Sequence, residues 1–317
     1  RGVTVALVDA AWHLRLKEQG AHLWIAMWPL ISVIHQARRA IPEDVLNFVM
    51  PQPALLRDYE THLWEILWSP FRARVNEPIY FPQISRGSPY IPDSVKFVCF
   101  ERVISMDYTL CNKKVRAPED VDEWKRGVDQ VFGWRGTFYK DCRAAVRANG
   151  AIIHLNHRVT RKAVNMDALL ERIRKEVPKD IDVMTFDFGG KWNVSDDILI
   201  AKNVNFMVST HGAGIMNAIF MPKGSHLVEI FPFLFYGSPF YKELVAGLGF
   251  LYWGYNETDR SIQEEAVPSS KGLTEKECAA IDACRVNIKR ANYRLSLDSF
   301  MPIVSSAIRS WREKCVK

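Results

Sequence analysis

The sequence predicts an α/β protein with two domains. Short apolar segments alternate with amphipathic segments of helical periodicity along most of the chain. This alternation is typical of βαβ units, in which helices cover a parallel sheet. With 317 residues, the chain can form two cores at about 100 to 200 residues per domain. We expect a first domain over residues 1–145, a second over 146–296, and a helix over 297–317 that could cross back to the first domain.

The first half shows strands and helices in alternation from its start. The pattern predicts strands at 44–51, 77–81 and 95–104 and helices at 22–40, 55–68 and 119–149. Pro29 should kink the first of these helices or mark its real start. Gly133 and Gly136 should divide the last into two.

In the second half of the chain, predicted strands and helices alternate regularly. Apolar strands are predicted at 151–155, 180–188, 204–209, 226–232 and 250–255, and helices between them at 166–177, 195–202, 213–220 and 240–249. Strands that are apolar throughout are typical of a parallel sheet buried on both faces. The second domain is therefore predicted to be Rossmann-like.

Charge and hydropathy limit the classes of function. The net charge is +6, and the lysines and arginines are spread without a basic tail or a basic stripe, so nucleic-acid binding ranks last. No run of about 18 apolar residues predicts a transmembrane helix. The start lacks an initiating Met and a cleavable signal, which suggests a processed piece whose N-terminal membrane anchor is absent.

Cysteine usage and glycosylation sequons favour an oxidising compartment. The six cysteines form no CxxC pair, so a structural zinc site is not expected and disulfides are compatible with the even number. Two N-glycosylation acceptors begin at Asn193 and Asn256. These features agree with a protein of the secretory pathway.

The stretch VNFMVSTHGAGIMNAIF is a candidate anion site. A strand ends, the HGAG turn follows, and a helix begins, at the edge of the sheet where ligands bind in open α/β folds. Gly212 and Gly214 let the backbone approach an anion, which would face the positive end of the helix. His211 could donate a further hydrogen bond to a phosphate oxygen. Alternatively, the glycines only permit tight packing between strand and helix.

Glu229 lies inside the apolar strand HLVEIFP, where a carboxylate needs a partner. An unpaired buried carboxylate costs several kcal/mol. The two hydroxyls of a ribose would satisfy it, as they satisfy acidic residues of dinucleotide sites. The alternative is an internal salt bridge with a lysine or an arginine.

Two arginines follow the first strand of the second domain. Arg158 and Arg161 could converge on a diphosphate through bidentate contacts, although an arginine is more often a solvated surface charge. The loop that carries them has no G-x-G-x-x-G sequence, so a dinucleotide-dependent oxidoreductase is disfavoured.

Taken together, these motifs resemble the catalytic domain of glycosyltransferase family 61. The resemblance rests on Arg-x-x-Arg with a following Asn, on HGAG-x-x-Asn, and on Pro-x-Gly before a Val-Glu strand that ends in Pro. The matching residues are Arg158, Arg161, Asn165, His211, Gly212, Ala213, Gly214, Asn217, Pro222, Gly224, Glu229 and Pro232. They lie within residues 152–232.

The resemblance implies a GT-B fold, with two Rossmann-like domains and a nucleotide-sugar cleft between them. It implies an inverting transfer of a pentose or an N-acetylhexosamine from a UDP-sugar to a hydroxyl of a glycan or glycoprotein. The nucleotide-binding residues would be Arg158, Arg161, Asn165, His211, Gly212, Ala213, Gly214, Asn217 and Glu229. It further implies no prosthetic cofactor, no obligatory metal, and a location in the lumen of the Golgi or the endoplasmic reticulum.

The resemblance places a catalytic base in the first domain. His22 stands at the family's matching position, and Asp107 is an alternative, as are Asp9 and Glu65. Ala26 occupies a position where the family often has an acid. That difference favours the alternative function, a catalytically silent member that binds nucleotide or glycan without transfer.

Overall fold

The computed structural model divides the chain into two compact units, Arg1–Thr137 and Phe138–Lys317. The described residues are 4–8, 46–50, 79–80, 102–106, 121–122, 125–126, 128–129, 139–156, 161–188, 194–235, 240–258 and 267–316. The division falls earlier in the chain than residue 145, because the helix that begins at Cys142 belongs to the second unit. The helices predicted at 22–40 and 55–68 lie outside the described residues.

The first unit contains a parallel sheet of four described strands. They are β1 (Thr4–Val8), β2 (Leu46–Met50), β3 (Ile79–Tyr80) and β4 (Arg102–Met106). Their order is β3-β2-β1-β4, and every pairing is parallel. Strands β2 and β3 fall within predicted strands, and β4 overlaps another. A parallel sheet of this order is the arrangement expected of a Rossmann-like unit.

The second unit contains a five-stranded parallel sheet. Its strands are β5 (Ala151–Asn156), β6 (Ile181–Phe186), β7 (Phe206–Thr210), β8 (His226–Phe231) and β9 (Leu251–Asn256). The order is β6-β5-β7-β8-β9. The chain moves outward from β5 to β6 and then returns to place β7 on the other side of β5. The junction of β5 and β7 is therefore a topological switch point, where open α/β sheets bind ligands.

Helices accompany these strands. The α-helices are α1 (Cys142–Asn149), α2 (Met166–Glu176), α3 (Val194–Asn203), α4 (Phe240–Gly247), α5 (Glu275–Ala280), α6 (Asp282–Arg290) and α7 (Leu297–Trp311). Two 3-10 helices span Ala213–Phe220 and Pro268–Ser270, and a π-helical turn spans Arg312–Val316. Within the described part of the chain, no helix has both the length and the apolar character needed to cross a membrane.

In the core of the second unit, the sheet packs against helices α2 and α7. Strands β5, β7 and β8 contribute side chains that solvent does not reach, as expected for a sheet covered on both faces. Helix α7 adds Phe300, Val304 and Trp311, and the Trp311 ring meets Phe206 edge to face at 5.4 Å. The helix predicted over 297–317 thus has its buried face in the second unit.

Two disulfides cross-link segments of the second unit. Cys142 at the start of α1 is bonded to Cys315 near the end of the chain, across 173 residues. Cys278 in α5 is bonded to Cys284 in α6. Disulfides persist in oxidising compartments, so both bonds fit a lumenal protein.

Candidate active site

The HGAG turn follows β7 at the switch point of the second sheet. His211 directly succeeds the last residue of β7, and its backbone N–H donates to the carbonyl of Ile230 in β8 at 2.8 Å. The 3-10 helix begins at Ala213, and Ile215 N–H donates to the Gly212 carbonyl at 3.0 Å. The turn is therefore anchored to a neighbouring strand at one end and to a helix at the other.

Both glycines of the turn are required by its geometry. Gly212 has φ 157° and ψ 178°, a backbone region that is essentially restricted to glycine. A Cβ atom on Gly214 would lie 2.7 Å from Nδ2 of Asn156, the last residue of β5. That amide is 1% exposed and donates to Ser209 Oγ at 2.9 Å, so the site has no room for an added side chain.

The imidazole of His211 is held by an acid and by three aromatic rings. Its Nδ1 lies 2.6 Å from Oε1 of Glu229. The ring is stacked on Phe231 at a centroid distance of 5.2 Å, and it also contacts the rings of Phe235 at 4.8 Å and Tyr241 at 5.2 Å. The His211 side chain keeps 15% of its surface exposed, so it can still reach a bound molecule.

The side chain of Glu229 is completely buried, and its partners are protein groups. While Oε1 contacts His211, Oε2 accepts a 2.6 Å hydrogen bond from the Tyr252 hydroxyl of β9. Burial, with the neighbouring Glu229 carboxylate, raises the pKa of Tyr252, so its hydroxyl remains a donor. The ribose contact predicted for Glu229 stays a prediction, and in the structure both of its oxygens are bonded inside the protein. The predicted alternative was also an internal pair, but with a lysine or an arginine.

Arg161 supports the same turn from the loop after β5. Its Nη1 donates to the His211 carbonyl at 2.6 Å, and its Nε donates to the Lys289 carbonyl at 2.9 Å. The guanidinium carbon lies 4.7 Å from the centre of the Phe235 ring. The arginine was predicted to contact a diphosphate; in the structure two of its donors hold the backbone, while its charge lies beside the turn.

Asn165 and Asn217 have roles in the protein scaffold. Asn165 Nδ2 donates to the Leu295 carbonyl at 2.8 Å, and its Oδ1 accepts from Leu295 N–H at 2.9 Å. The nucleotide contact predicted for Asn165 stays a prediction; in the structure both ends of its amide bind the segment that leads into α7. Asn217 Nδ2 donates to the Gly214 carbonyl at 3.2 Å, and its buried Oδ1 has no hydrogen-bond partner among the described residues.

Five predicted site residues lie outside the described residues. They are Arg158 and the four candidate bases, His22, Asp107, Asp9 and Glu65. Of the others, the structure brings together His211, Gly212, Ala213, Gly214, Asn217, Glu229 and Arg161. Sequence reasoning missed Tyr252 and Asn156. Asn156 could have been found as a polar residue ending an apolar strand, whereas no sequence signal distinguishes Tyr252 from Tyr255 in β9.

The site's described side chains are donors and acids, not a cluster of metal ligands. Where the structure describes side chains, it contains no group of three or more His, Cys, Asp or Glu residues that could hold a metal ion. The described polar groups of the site are instead donors and one buried acid, which suits an anionic ligand.

Comparisons with known proteins agree with the motifs. A family model described as Glycosyltransferase 61 matches residues 43–228, which is more than half of the chain. Protein O-linked-mannose beta-1,4-N-acetylglucosaminyltransferase 2 of Xenopus laevis is 32% identical over 87 residues, 27% of this chain and 14% of that protein. The chain thus matches only a small part of that relative's length.

A solved structure gives a weaker likeness. The glycosyl transferase family 9 protein from Veillonella parvula DSM 2008 aligns over 90% of this chain and 96% of its own, with 10% identity and a TM-score of 0.33. That score is too low to support an argument. The family match over more than half of the sequence confirms the resemblance and the predicted enzyme class. The chain belongs to the Glycosyltransferase 61 family.

Proposed function

We propose that this protein is an inverting glycosyltransferase. It moves a pentose or an N-acetylhexosamine from a UDP-sugar to a hydroxyl of a glycan or glycoprotein in the secretory pathway. The observation that carries the proposal is the HGAG turn at the switch point between β5 and β7, with His211 partly exposed and Arg161 bound to its carbonyl. A glycine turn that opens a helix at such a point suits a diphosphate.

The donor's diphosphate would be bound at the start of the 3-10 helix. The first backbone N–H groups of a helix lack partners within it and point toward its N-terminus. Here those groups belong to the turn that contains Gly212, Ala213 and Gly214. Nη1 of Arg161 lies 2.6 Å from the His211 carbonyl oxygen, so the positive charge of this guanidinium is next to the turn. That charge would attract the phosphates, and so would the charge of Arg158.

The same groups would lower the barrier to transfer. As an acceptor hydroxyl attacks the anomeric carbon, the glycosidic oxygen leaves with the diphosphate and negative charge grows there. Donors fixed in place before the reaction stabilise that charge without reorganisation. His22 is the proposed base that takes the hydroxyl proton, with Asp107 as the alternative. The GT-B arrangement of the units remains a prediction from the sequence.

A metal ion is not required in this proposal, since Arg161, Arg158 and His211 would meet the charge of the leaving group. Transfer activity should persist in excess EDTA with less than about a twofold change, because these groups are parts of the chain. A loss of more than about tenfold that added Mn²⁺ restores would contradict it.

A lumenal location is proposed from the covalent features. The disulfides Cys142–Cys315 and Cys278–Cys284 fit an oxidising environment. The sequon residue Asn256 lies exposed at the end of the edge strand β9, where a glycosylating enzyme could reach it. We assign the protein to the lumen of the Golgi or the endoplasmic reticulum.

Isothermal titration with UDP tests nucleotide binding directly. We expect binding by the wild type and a loss of about tenfold or more in His211→Ala, which removes a donor to the phosphates. Arg172→Ala is a matched surface control, since Arg172 is exposed and pairs with Asp298 in the scaffold. Absence of UDP binding to the wild type at millimolar nucleotide would remove the main support for the proposal.

Hydrolysis and transfer assays with a panel of UDP-sugars would then identify the donor. Release of UDP from one sugar nucleotide, followed by a mass increase of a suitable acceptor, is the expected result. UDP binding with no hydrolysis and no transfer for any donor would favour the catalytically silent alternative.

A further inference from the structure

Glu229 is the middle member of a chain of hydrogen bonds that crosses three adjacent strands. His211 follows β7, Glu229 lies in β8, and Tyr252 lies in β9. Both bonds of the chain are 2.6 Å long, and they use different oxygens of the carboxylate. His211 is the member next to the glycine turn, whereas Glu229 has no exposed surface.

We propose that Glu229 and Tyr252 are positioning residues that orient the His211 imidazole toward the diphosphate of the donor. In this arrangement Nδ1–H donates to Glu229 and Nε2–H donates to a phosphate oxygen, so that both ring nitrogens are donors. This inference rests on the proposed function, because it assigns the ligand of Nε2 to the donor substrate.

The geometry leaves the carboxylate little freedom to turn. Rotation that takes Oε1 away from His211 also breaks the bond between Oε2 and the Tyr252 hydroxyl. A carboxylate with no exposed surface cannot replace either bond with water, so each is costly to lose. Tyr252 therefore acts on His211 through Glu229, although it lies two strands from the turn.

The aromatic rings around His211 limit the other rotation, that of the imidazole itself. Phe231 lies against the ring at an interplanar angle of 28°, and Phe235 and Tyr241 contact it at 44° and 62°. The described charged or titratable groups that face this ring are Glu229, Tyr241 and Arg161, the last through the His211 carbonyl. The acid fixes which nitrogen points inward, and the rings fix its plane.

The same strand supplies a matched control in Tyr255. Its hydroxyl donates to Glu257, another buried carboxylate, at 3.4 Å. Glu257 also accepts hydrogen bonds from the backbone N–H and the hydroxyl of Ser296 at 2.7 and 2.9 Å. Glu257 therefore stabilises the start of α7. A Tyr255→Phe variant removes a bond between a phenol and a carboxylate without touching the group that holds His211.

The experiment compares Tyr252→Phe, Glu229→Gln and Tyr255→Phe with the wild type. Affinities for UDP are measured by isothermal titration and affinities for uridine by ligand-observed NMR. We expect UDP affinity to fall by about tenfold in Tyr252→Phe and further in Glu229→Gln, because a misoriented imidazole loses its phosphate contact. Uridine affinity should stay within about twofold for all three variants, and Tyr255→Phe should bind UDP like the wild type.

Each contrary outcome has a separate meaning. Equal losses of UDP and uridine affinity would overturn the inference, since they indicate a general change of the pocket. Unchanged UDP affinity in Tyr252→Phe would also overturn it while the proposed function stands. A wild type that binds no UDP overturns both. If Glu229→Gln does not fold, Tyr252→Phe decides the matter by itself, because it removes only a hydroxyl.

Discussion

Asn156 and Gly214 are packed so closely that a side chain cannot be added between them. The Nδ2 atom of Asn156 lies 2.7 Å from the position of a Cβ atom on residue 214. The amide is also bonded to Ser209 and accepts a longer contact from Phe188 N–H at 3.5 Å. The end of β5 thus fixes the start of the 3-10 helix, across the switch point of the sheet.

Gly214→Ala should therefore destabilise the protein. The new methyl group must displace the Asn156 amide from Ser209, and overpacking of this kind costs about 1–3 kcal/mol. Thermal unfolding followed by circular dichroism is the measurement. In a double-mutant cycle with Asn156→Ala, we expect the double variant to lose less than the sum of the single losses, because the clash is then absent. Additive losses would contradict direct contact as the cause.

Removal of the Cys142–Cys315 disulfide should lower the free energy of unfolding more than removal of the Cys278–Cys284 disulfide. In the chain-entropy account, the disulfide with a sequence separation of 173 contributes about 5 kcal/mol and the one with a separation of 6 about 2 kcal/mol. Cys142→Ala with Cys315→Ala is compared with Cys278→Ala with Cys284→Ala by chemical denaturation, followed by tryptophan fluorescence. Equal losses for the two double variants would count against the loop-length argument.

The strands of the second unit could be predicted because each is marked by a local sequence pattern. Each of the strands β5 to β9 overlaps an apolar segment bounded by turn residues, and HGAG itself marks the end of β7. The proximity of His211 and Glu229 follows from two neighbouring parallel strands. Tyr252 was missed because β9 contains two tyrosines, and the sequence does not show which of them meets Glu229.

Asn165 shows why the protein contacts of a motif residue cannot be predicted from the motif alone. Its partner Leu295 is 130 residues further along the chain, and no local pattern predicts the pairing. The same limit applies to Arg161, whose acceptors are carbonyls of His211 and Lys289. A sequence supplies the donors, but the identity of their acceptors depends on which distant segments meet.

Acid should destabilise the second unit through two buried histidines. Burial lowers the pKa of His154 to about 4, against a hydrogen bond to the Phe186 carbonyl that acts in the other direction. Burial, together with the charge of Lys314, lowers the pKa of His226 to about 4. Both histidines are neutral in the folded protein at neutral pH.

The sign of the effect follows from proton binding. Between about pH 6.5 and pH 4 the unfolded chain binds protons that the folded protein excludes, so the free energy of unfolding falls as the pH is lowered through this window. The expected loss is on the order of 2–3 kcal/mol for each histidine by pH 4. Thermal unfolding at a series of pH values measures it.

A variant isolates the contribution of His154 to this pH dependence. His154→Gln replaces the imidazole by an amide that does not titrate, so the melting temperature should depend less on pH between 6.5 and 4 than it does in the wild type. All other side chains are the same in the two proteins, so their contributions cancel in the comparison. Parallel curves for the two proteins would show that His154 is not a source of the acid sensitivity.

Asn165→Ala should separate stability from nucleotide binding. The substitution removes a donor and an acceptor that hold the backbone of Leu295 at 2.8 and 2.9 Å, which should cost about 1–3 kcal/mol. Thermal unfolding should report that loss, whereas the dissociation constant for UDP should stay within about twofold of the wild type, since both ends of the amide face Leu295. Asn292→Ala is the control, because Asn292 Oδ1 accepts a single hydrogen bond from the exposed backbone N–H of Lys162. A large loss of UDP affinity with an unchanged melting temperature would support the nucleotide contact that the sequence motif predicts for Asn165.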